Sequence, residues 1–138
     1  MDSPAATTPP RLPAGRALLG LTLLLGGCWG GGAPTVEVLQ EAVSPDGRHV
    51  ATSFYCEGGG AAGYTFHNVS LRPSEAPLDP MDGLLGKHRT WNSFRDVDVR
   101  WRDATHLEVS YRSLTDDEEQ LTEVGERHGV RIHYTRRP

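Results

Sequence analysis

Residues 96–112 decide the fold, and they read DVDVRWRDATHLEVSYR. Apolar and charged side chains alternate over residues 96–101, and the alternation returns over residues 106–112. A period of two is typical of β-strands that bury one face. The stretch therefore predicts an antiparallel hairpin with one apolar face, formed by Val97, Val99, Trp101, Leu107, Val109 and Tyr111.

The charged residues of this hairpin favour one register. In that register the residue numbers of each pair add up to 208, and a shift by two residues would place Asp98 opposite Glu108. Cross-strand charge pairs contribute only about 0.2–1 kcal/mol each, but all of them favour the same alignment. The predicted pairs are Val97 with Tyr111, Val99 with Val109, Trp101 with Leu107, Arg100 with Glu108, and Asp96 with Arg112.

A second hairpin is predicted around Ser44-Pro45-Asp46-Gly47. Proline fixes φ near −65° at its position, and glycine accepts the positive φ that such turns require. The flanking segments, residues 36–43 and 48–56, are rich in strand-forming residues. Further strands are predicted over residues 64–71, 89–91 and 130–135.

Residues 114–128 leave two interpretations open. The run Thr115-Asp116-Asp117-Glu118 matches a capping box, which favours a short helix. Leu121 and Val124 give only a thin apolar stripe, so a strand is the alternative. Either way, we expect a mainly β fold, a small antiparallel sheet or open sandwich with at most one short helix, after an N-terminal signal peptide.

Length and composition limit what the chain can be. Its 138 residues, with a net charge of −4, allow one hydrophobic core but no second domain of ordinary size. A multi-blade propeller, a (β/α)₈ barrel and a two-domain enzyme are excluded. Twelve of the 26 glycines and prolines precede Thr35, so an unusual N-terminal segment is followed by an ordinary globular domain.

The N-terminal segment has the features of an export signal. Arg11 and Arg16 precede an apolar run of eleven residues over positions 17–27. A membrane-spanning helix needs about 20 residues. The run is therefore too short to span a bilayer, and its basic flank and small residues fit a secretory signal.

The sequence Leu25-Gly26-Gly27-Cys28 resembles the lipobox of bacterial lipoproteins. The resemblance implies a bacterial source, cleavage before Cys28, a diacylglyceryl group on its thiol and a fatty acyl group such as palmitate on the new amine. It divides the chain into a lipoprotein signal peptide (1–27), a flexible tether (28–35) and a single antiparallel β-domain (36–138). The alternative is an ordinary signal peptide that is cleaved elsewhere.

The net charge of the mature chain and its predicted lipid anchor indicate which classes of partner to expect. From Cys28 onward the chain carries 12 basic and 17 acidic residues, a net charge of −5, and no basic stripe interleaves with aromatic residues. Nucleic acid is therefore not expected to bind. We expect contact with a membrane through the N-terminal lipid, which several acyl chains make effectively permanent, and with an envelope protein. In Gram-negative cells, the usual sorting rule for lipoproteins directs those without an aspartate after the lipidated cysteine to the outer membrane. No aspartate follows Cys28, so the resemblance implies the periplasmic face of the outer membrane if the cell is Gram-negative.

Cys56 is the only other cysteine, so no intramolecular disulfide is predicted once Cys28 is lipidated. The first interpretation of Cys56 is a buried, inert thiol. An intermolecular partner and a reactive site are the alternatives.

Other candidate sites have simpler explanations. The glycine-rich residues 58–63 lack the Lys-Ser/Thr pair and the following helix of a P-loop, so they are interpreted as an inter-strand loop. Among the six histidines (His49, His67, His88, His106, His128 and His133), only His128 and His133 approach the spacing of zinc ligands. We therefore expect no metal site and no cofactor.

Two acidic segments also carry no predicted chemistry. Asp79, Asp82 and Gly83 lack the calcium-loop pattern and are interpreted as turn residues. The acidic run over residues 116–119 is interpreted as a solvated helix N-terminus. No known catalytic motif is found, so no catalytic residue is predicted.

The order of elements resembles a family of small bacterial proteins that has no assigned activity. The resemblance covers the Ser44–Gly47 turn, the Cys-containing loop over residues 56–63, the strand over residues 64–71 and the Val-x-Val-x-Trp strand. It supports the fold and assigns no functional residue. We therefore expect a lipid-anchored envelope protein that binds or scaffolds without catalysis, and the alternative is a small envelope enzyme or redox protein that uses Cys56.

Overall fold

The computed structural model describes residues 32–86 and 92–138. Cys28 with the rest of the lipobox, the first half of the predicted tether (28–31), His88 and the strand expected over residues 89–91 lie outside these ranges. Seven strands form within these two ranges, namely β1 (Thr35–Val43), β2 (His49–Gly58), β3 (Tyr64–Pro73), β4 (Phe94–Asp103), β5 (His106–Ser113), β6 (Glu126–Arg127) and β7 (Val130–Arg137). Within the described ranges the fold is mainly β, as predicted, and its one helical element is a 3-10 turn at Gly60–Ala62.

The first sheet is an antiparallel meander in the order β1-β2-β3. The predicted Ser44–Gly47 turn joins β1 and β2, and Gly47 has the expected positive φ of 72°. The Ser44 hydroxyl donates to Asp46 Oδ1 at 2.6 Å, and the backbone N–H of Arg48 donates to the same oxygen at 3.1 Å. These two hydrogen bonds, the Ser44 one first, lower the pKa of Asp46.

The second sheet has the order β4-β5-β7-β6, with β5 and β7 parallel. The predicted β4–β5 register is confirmed at four pairs, which run from Asp98 opposite Ser110 to Trp101 opposite Leu107. It is wrong before Asp98, where a β-bulge shifts the partners so that Arg95, not Asp96, faces Arg112.

The bulge has a visible cause in the backbone. Asp96 adopts a φ of +49°, and the extra residue on β4 removes the predicted pairs of Val97 with Tyr111 and of Asp96 with Arg112. Arg112 Nη1 still reaches Asp96 Oδ2 at 3.6 Å, so the ion pair survives without the predicted alignment.

The helix favoured for residues 114–128 does not form. A single turn is present, in which the Leu121 N–H donates to the Asp117 carbonyl at 3.2 Å. The backbone then bonds to another segment, because the Gly86 N–H donates to Thr122 O at 2.7 Å and the Val124 N–H donates to Leu84 O at 3.1 Å. No helix in the described part of the chain is long and apolar enough to cross a membrane.

One core joins the two sheets. From the first sheet it contains Ala51, Val69 and Leu71, and from the second sheet and its loops it contains Leu84, Leu85, Phe94, Val97, Val99, Leu107, Val109, Tyr111, Val130 and Ile132. A smaller cluster of Phe54, Cys56 and Phe66 lies on the first sheet. Because residues from both sheets share the larger core, the sheets form one packed unit.

Hydrogen bonds from two side chains also fix β1 against β4. The Gln40 amide donates from Nε2 to Val99 O at 2.9 Å and accepts from the Val99 N–H at 3.0 Å. Trp101 Nε1 donates to Ala42 O at 2.9 Å. These contacts occupy only the C-terminal half of β1, so they leave the first half of the strand for other contacts.

Candidate binding surface on the first strand

Large apolar side chains are exposed mainly along β1. Val38 is 51% exposed, Leu39 48% and Val43 57%. Among the described residues, only Met81 and Leu114 are other large apolar side chains of comparable exposure, and they lie in separate loops. Exposed apolar side chains that share one element mark a candidate contact surface.

A β-bulge explains why two adjacent residues, Val38 and Leu39, are both exposed. The register of β1 against β2 shifts between Val38 and Gln40, so Leu39 has no partner on β2. In a regular strand, neighbouring side chains point to opposite faces. The extra residue breaks this alternation and bends the strand, which leaves Leu39 at the edge of the sheet.

β1 is also an edge strand. β2 lies on one side of it, and no described strand pairs with its other side. Edge strands carry unpaired main-chain donors and acceptors that a second chain can extend into a longer sheet. We name residues 35–43 the β1 edge; its open side covers residues 35–39, because Gln40 and Ala42 bond to β4.

The β1 edge has two unlike faces. Val38 pairs with Phe54 and Val43 pairs with Val50, so these side chains share the face that carries the smaller apolar cluster. Glu37 pairs with Tyr55 on the opposite face.

A second carboxylate, Glu57, shares that face with Glu37. Glu57 is exposed at the end of β2 and accepts a hydrogen bond from the Tyr55 hydroxyl at 3.2 Å. Burial and then the Glu57 carboxylate raise the pKa of Tyr55. The ring centroids of His67 and Tyr55 lie 5.1 Å apart. Burial and, second, the positive charge of Arg95 lower the pKa of His67.

Glu41, the other carboxylate of β1, is occupied. Its Oε2 accepts from Arg72 Nη2 at 3.1 Å and from the Thr52 hydroxyl at 3.2 Å. Arg72 Nη1 also donates to Thr52 Oγ1 at 2.6 Å. This network ties the three strands of the first sheet together, so Glu41 has a structural role.

Cys56 is fully buried in the smaller cluster, beside Phe54 and Phe66. The predicted burial is confirmed. A thiol in apolar surroundings is a poor nucleophile because burial disfavours its thiolate. The enzyme hypothesis built on Cys56 stays a prediction, and it would require this core to open.

The glycine-rich loop over residues 58–63 connects β2 to β3, as the sequence predicts. Its glycines make room for an aromatic ring, since a Cβ on Gly58 would lie 2.7 Å from Tyr64 Oη and one on Gly59 would lie 2.8 Å from Tyr64 Cδ1. Close packing of Tyr64 therefore accounts for these residues without a bound anion.

The histidines pair in an order that the sequence does not indicate. His128 stacks on His49 with ring centroids 6.2 Å apart, and His133 stacks on His106 at 5.6 Å. The two histidines with near-zinc spacing, His128 and His133, therefore belong to different pairs. No group of three or more potential metal ligands occurs in the described part of the chain.

His106 has one further contact, at the β4–β5 turn. Its Nδ1 lies 2.9 Å from Asp103 Oδ1, and the Thr105 N–H donates to the same oxygen at 2.8 Å. The hydrogen bond from the Thr105 N–H and, second, the hydrogen bond with His106 lower the pKa of Asp103 to about 2. Both side chains are well exposed to solvent, so this arrangement closes the turn.

The acidic segments act within turns. The Met81 N–H donates to Asp79 Oδ1 at 2.8 Å, and Asp82 forms an ion pair with Arg127 at 2.9 Å. In the run over residues 116–119, the Glu119 N–H donates to Asp117 Oδ1 at 3.0 Å. Asp117, not the predicted Thr115, therefore caps the single turn that forms there.

Sequence reasoning missed the β1 edge. The apolar residues of β1 were visible, but a bulge and the lack of a neighbouring strand are properties of the fold. Only the adjacent pair Val38-Leu39, which breaks the alternation of a half-buried strand, could have indicated the bulge.

Comparisons of the chain with protein-family models, with curated proteins and with solved structures give no match. The resemblances to the lipobox and to the small bacterial family stay predictions from the sequence.

Proposed function

We propose that this chain is a lipid-anchored protein of the bacterial cell envelope whose β-domain binds a partner protein and catalyses no reaction. The resemblance of residues 25–28 to the lipobox supports a lipid on Cys28. In a Gram-negative cell the protein would stand on the periplasmic face of the outer membrane.

The binding role is supported by one observation, the exposure of Val38, Leu39 and Val43 on an edge strand. An extended segment of a partner can add a strand to such an edge, with main-chain hydrogen bonds giving affinity and side chains giving specificity. The burial of Cys56 supports a non-catalytic role, because the thiol named in the enzyme hypothesis has no access to a substrate in this conformation.

Site-specific photocrosslinking in the source cell tests the binding role. Benzoylphenylalanine is placed at Leu39 or at Val43, and at Leu114 as the control, since Leu114 is equally exposed (51%) but lies off the β1 edge. We expect one discrete protein adduct from both β1 positions and none of that size from Leu114. Adducts of the same pattern from all three positions, or none from β1, would contradict a binding role for this edge.

A further inference from the structure

The half of the domain that contains the β1 edge carries most of the negative charge. Residues 32–86 have seven carboxylates and two arginines, whereas residues 92–138 have ten carboxylates and eight arginines. Both arginines of the first half lie away from the start of β1. Arg48 is in the Ser44–Gly47 turn region, and Arg72 bonds to Glu41. The sheet that carries the open side of β1 is therefore acidic, and the charge of Arg95, from β4, reaches His67 on the face of Glu37.

Glu37 is the carboxylate best placed to meet a new strand. It is exposed, and it makes no ion pair with any described residue. Glu57 lies on the same face one strand further in, because Thr35 and Glu57 are register partners. A cation on an incoming strand would meet Glu37, and Glu57 on the next strand adds negative charge to the same face.

The opposite face of the β1 edge presents exposed apolar side chains, on which apolar side chains of an added strand could pack. Val38 and Val43 lie on the face that carries the smaller cluster, with the Glu41–Arg72 ion pair between them, and both are about half exposed. Because successive side chains of a strand point to opposite faces, a strand that satisfies both faces must alternate apolar and basic residues.

We propose that the β1 edge receives an extended segment of a partner protein in which basic and apolar residues alternate. Along residues 35–39 the basic residues of that segment face Glu37, with Glu57 on the same face, and an apolar residue packs on Val38. A second copy of this chain would bring the same carboxylates to the same edge, so charge opposes self-pairing. The inference rests on the proposed function and names the chemistry of its partner.

Peptide binding tests the charge preference directly. Two fluorescent ten-residue peptides are compared, one alternating lysine and valine and one alternating glutamate and valine, by anisotropy at low and high salt. We expect the lysine peptide to bind at least tenfold more tightly at low salt, with the difference shrinking as salt screens the charges. A lysine peptide with a central proline, which removes a main-chain donor, should bind more weakly.

Two charge-reversal variants locate the effect. Glu37→Lys should weaken binding of the lysine peptide about tenfold or more, whereas Glu118→Lys, with the same change in net charge at an exposed site on the other half, should leave it within about twofold. Glu57→Lys is a second variant on the same face and should act like Glu37→Lys. Equal effects of Glu37→Lys and Glu118→Lys would overturn the inference.

Peptide binding and crosslinking together distinguish a failure of the charge preference from a failure of the binding role. If the two peptides bind equally, or if neither binds while Leu39 still crosslinks to a partner, the charge preference is wrong and the proposed binding role of the β1 edge stands. If β1 crosslinks to a second copy of the chain, the partner assignment is overturned.

Discussion

Asn68 shows how a single side chain can hold a loop that has no strand of its own. Its Nδ2 donates to Leu85 O at 2.7 Å, and its Oδ1 accepts from the N–H groups of Leu85 at 2.9 Å and Val69 at 2.7 Å. The side chain is buried, so an unmade bond would cost about 1–3 kcal/mol. Asn68 thereby places Leu84 and Leu85 in the core.

Gly83 leaves the space that Asn68 needs. A Cβ at this position would lie 2.3 Å from Asn68 Nδ2 and 2.6 Å from its Oδ1. We expect Gly83→Ala to lower the free energy of unfolding by about 1–3 kcal/mol, measured by chemical denaturation. Gly125→Ala, where nothing lies within 4 Å, is the control and should change it by less than about 0.5 kcal/mol. Equal effects of the two substitutions would show that Asn68 is not held as described.

At the scale of elements, bulges decide what the strands present. The bulge of β4 at Asp96 changes the register that the hairpin would otherwise have, and the bulge of β1 at Leu39 exposes an apolar pair. Both bulges occur where the two sheets meet, since β1 and β4 are joined through Gln40. The Gln40 amide occupies the edge of β4 much as a strand residue would.

The Gln40 clamp gives a prediction for the joint between the sheets. Gln40→Ala removes both hydrogen bonds to Val99, and we expect the free energy of unfolding to fall by about 1–3 kcal/mol. Val43→Ala, on the same strand but 57% exposed, should change it by less than about 0.5 kcal/mol. If Gln40→Ala proves as mild as Val43→Ala in equilibrium denaturation, the clamp is not what fixes β1 against β4.

The sequence predicts those elements that are determined by interactions between residues close together in the chain. Alternation over residues 96–101 and 106–112 and the turn chemistry of Ser44–Gly47 depend on neighbouring residues, and they are confirmed. The helix favoured after Thr115 is wrong because its backbone groups bond to Leu84 and Gly86, which are distant in sequence. The exposed edge of β1 could not be predicted for the same reason, since it depends on which strands fail to meet.

At the scale of the whole molecule, charge and core are distributed differently. The core draws on both sheets, whereas eight of the ten arginines in the described ranges lie in residues 92–138, and six of these form ion pairs. Arg100 and Arg102 share Glu108, Arg137 binds Asp98 at 2.8 Å, and Arg100 is the first cause of the lowered pKa of Glu108. On the first sheet Arg72 compensates Glu41, whereas Glu37 and Glu57 form no ion pair with any described residue, which leaves the start of the β1 edge acidic.

The same edge begins close to the proposed anchor. Thr35, the first residue of β1, is seven positions after Cys28, and seven residues span at most about 25 Å. Lipid on Cys28 would therefore hold the β1 edge near the membrane surface, where a partner in the same membrane can reach it.

Mass spectrometry of the mature protein, purified from the membrane fraction of its source cell, shows whether Cys28 is the lipidated N-terminal residue. If Cys28 is lipidated as proposed, the N-terminal peptide begins at Cys28 and carries the mass of a diacylglyceryl group together with an amide-linked fatty acyl chain. An unacylated N-terminus downstream of Cys28, or a protein that retains residues 1–27 in the cytosol, would contradict that proposal.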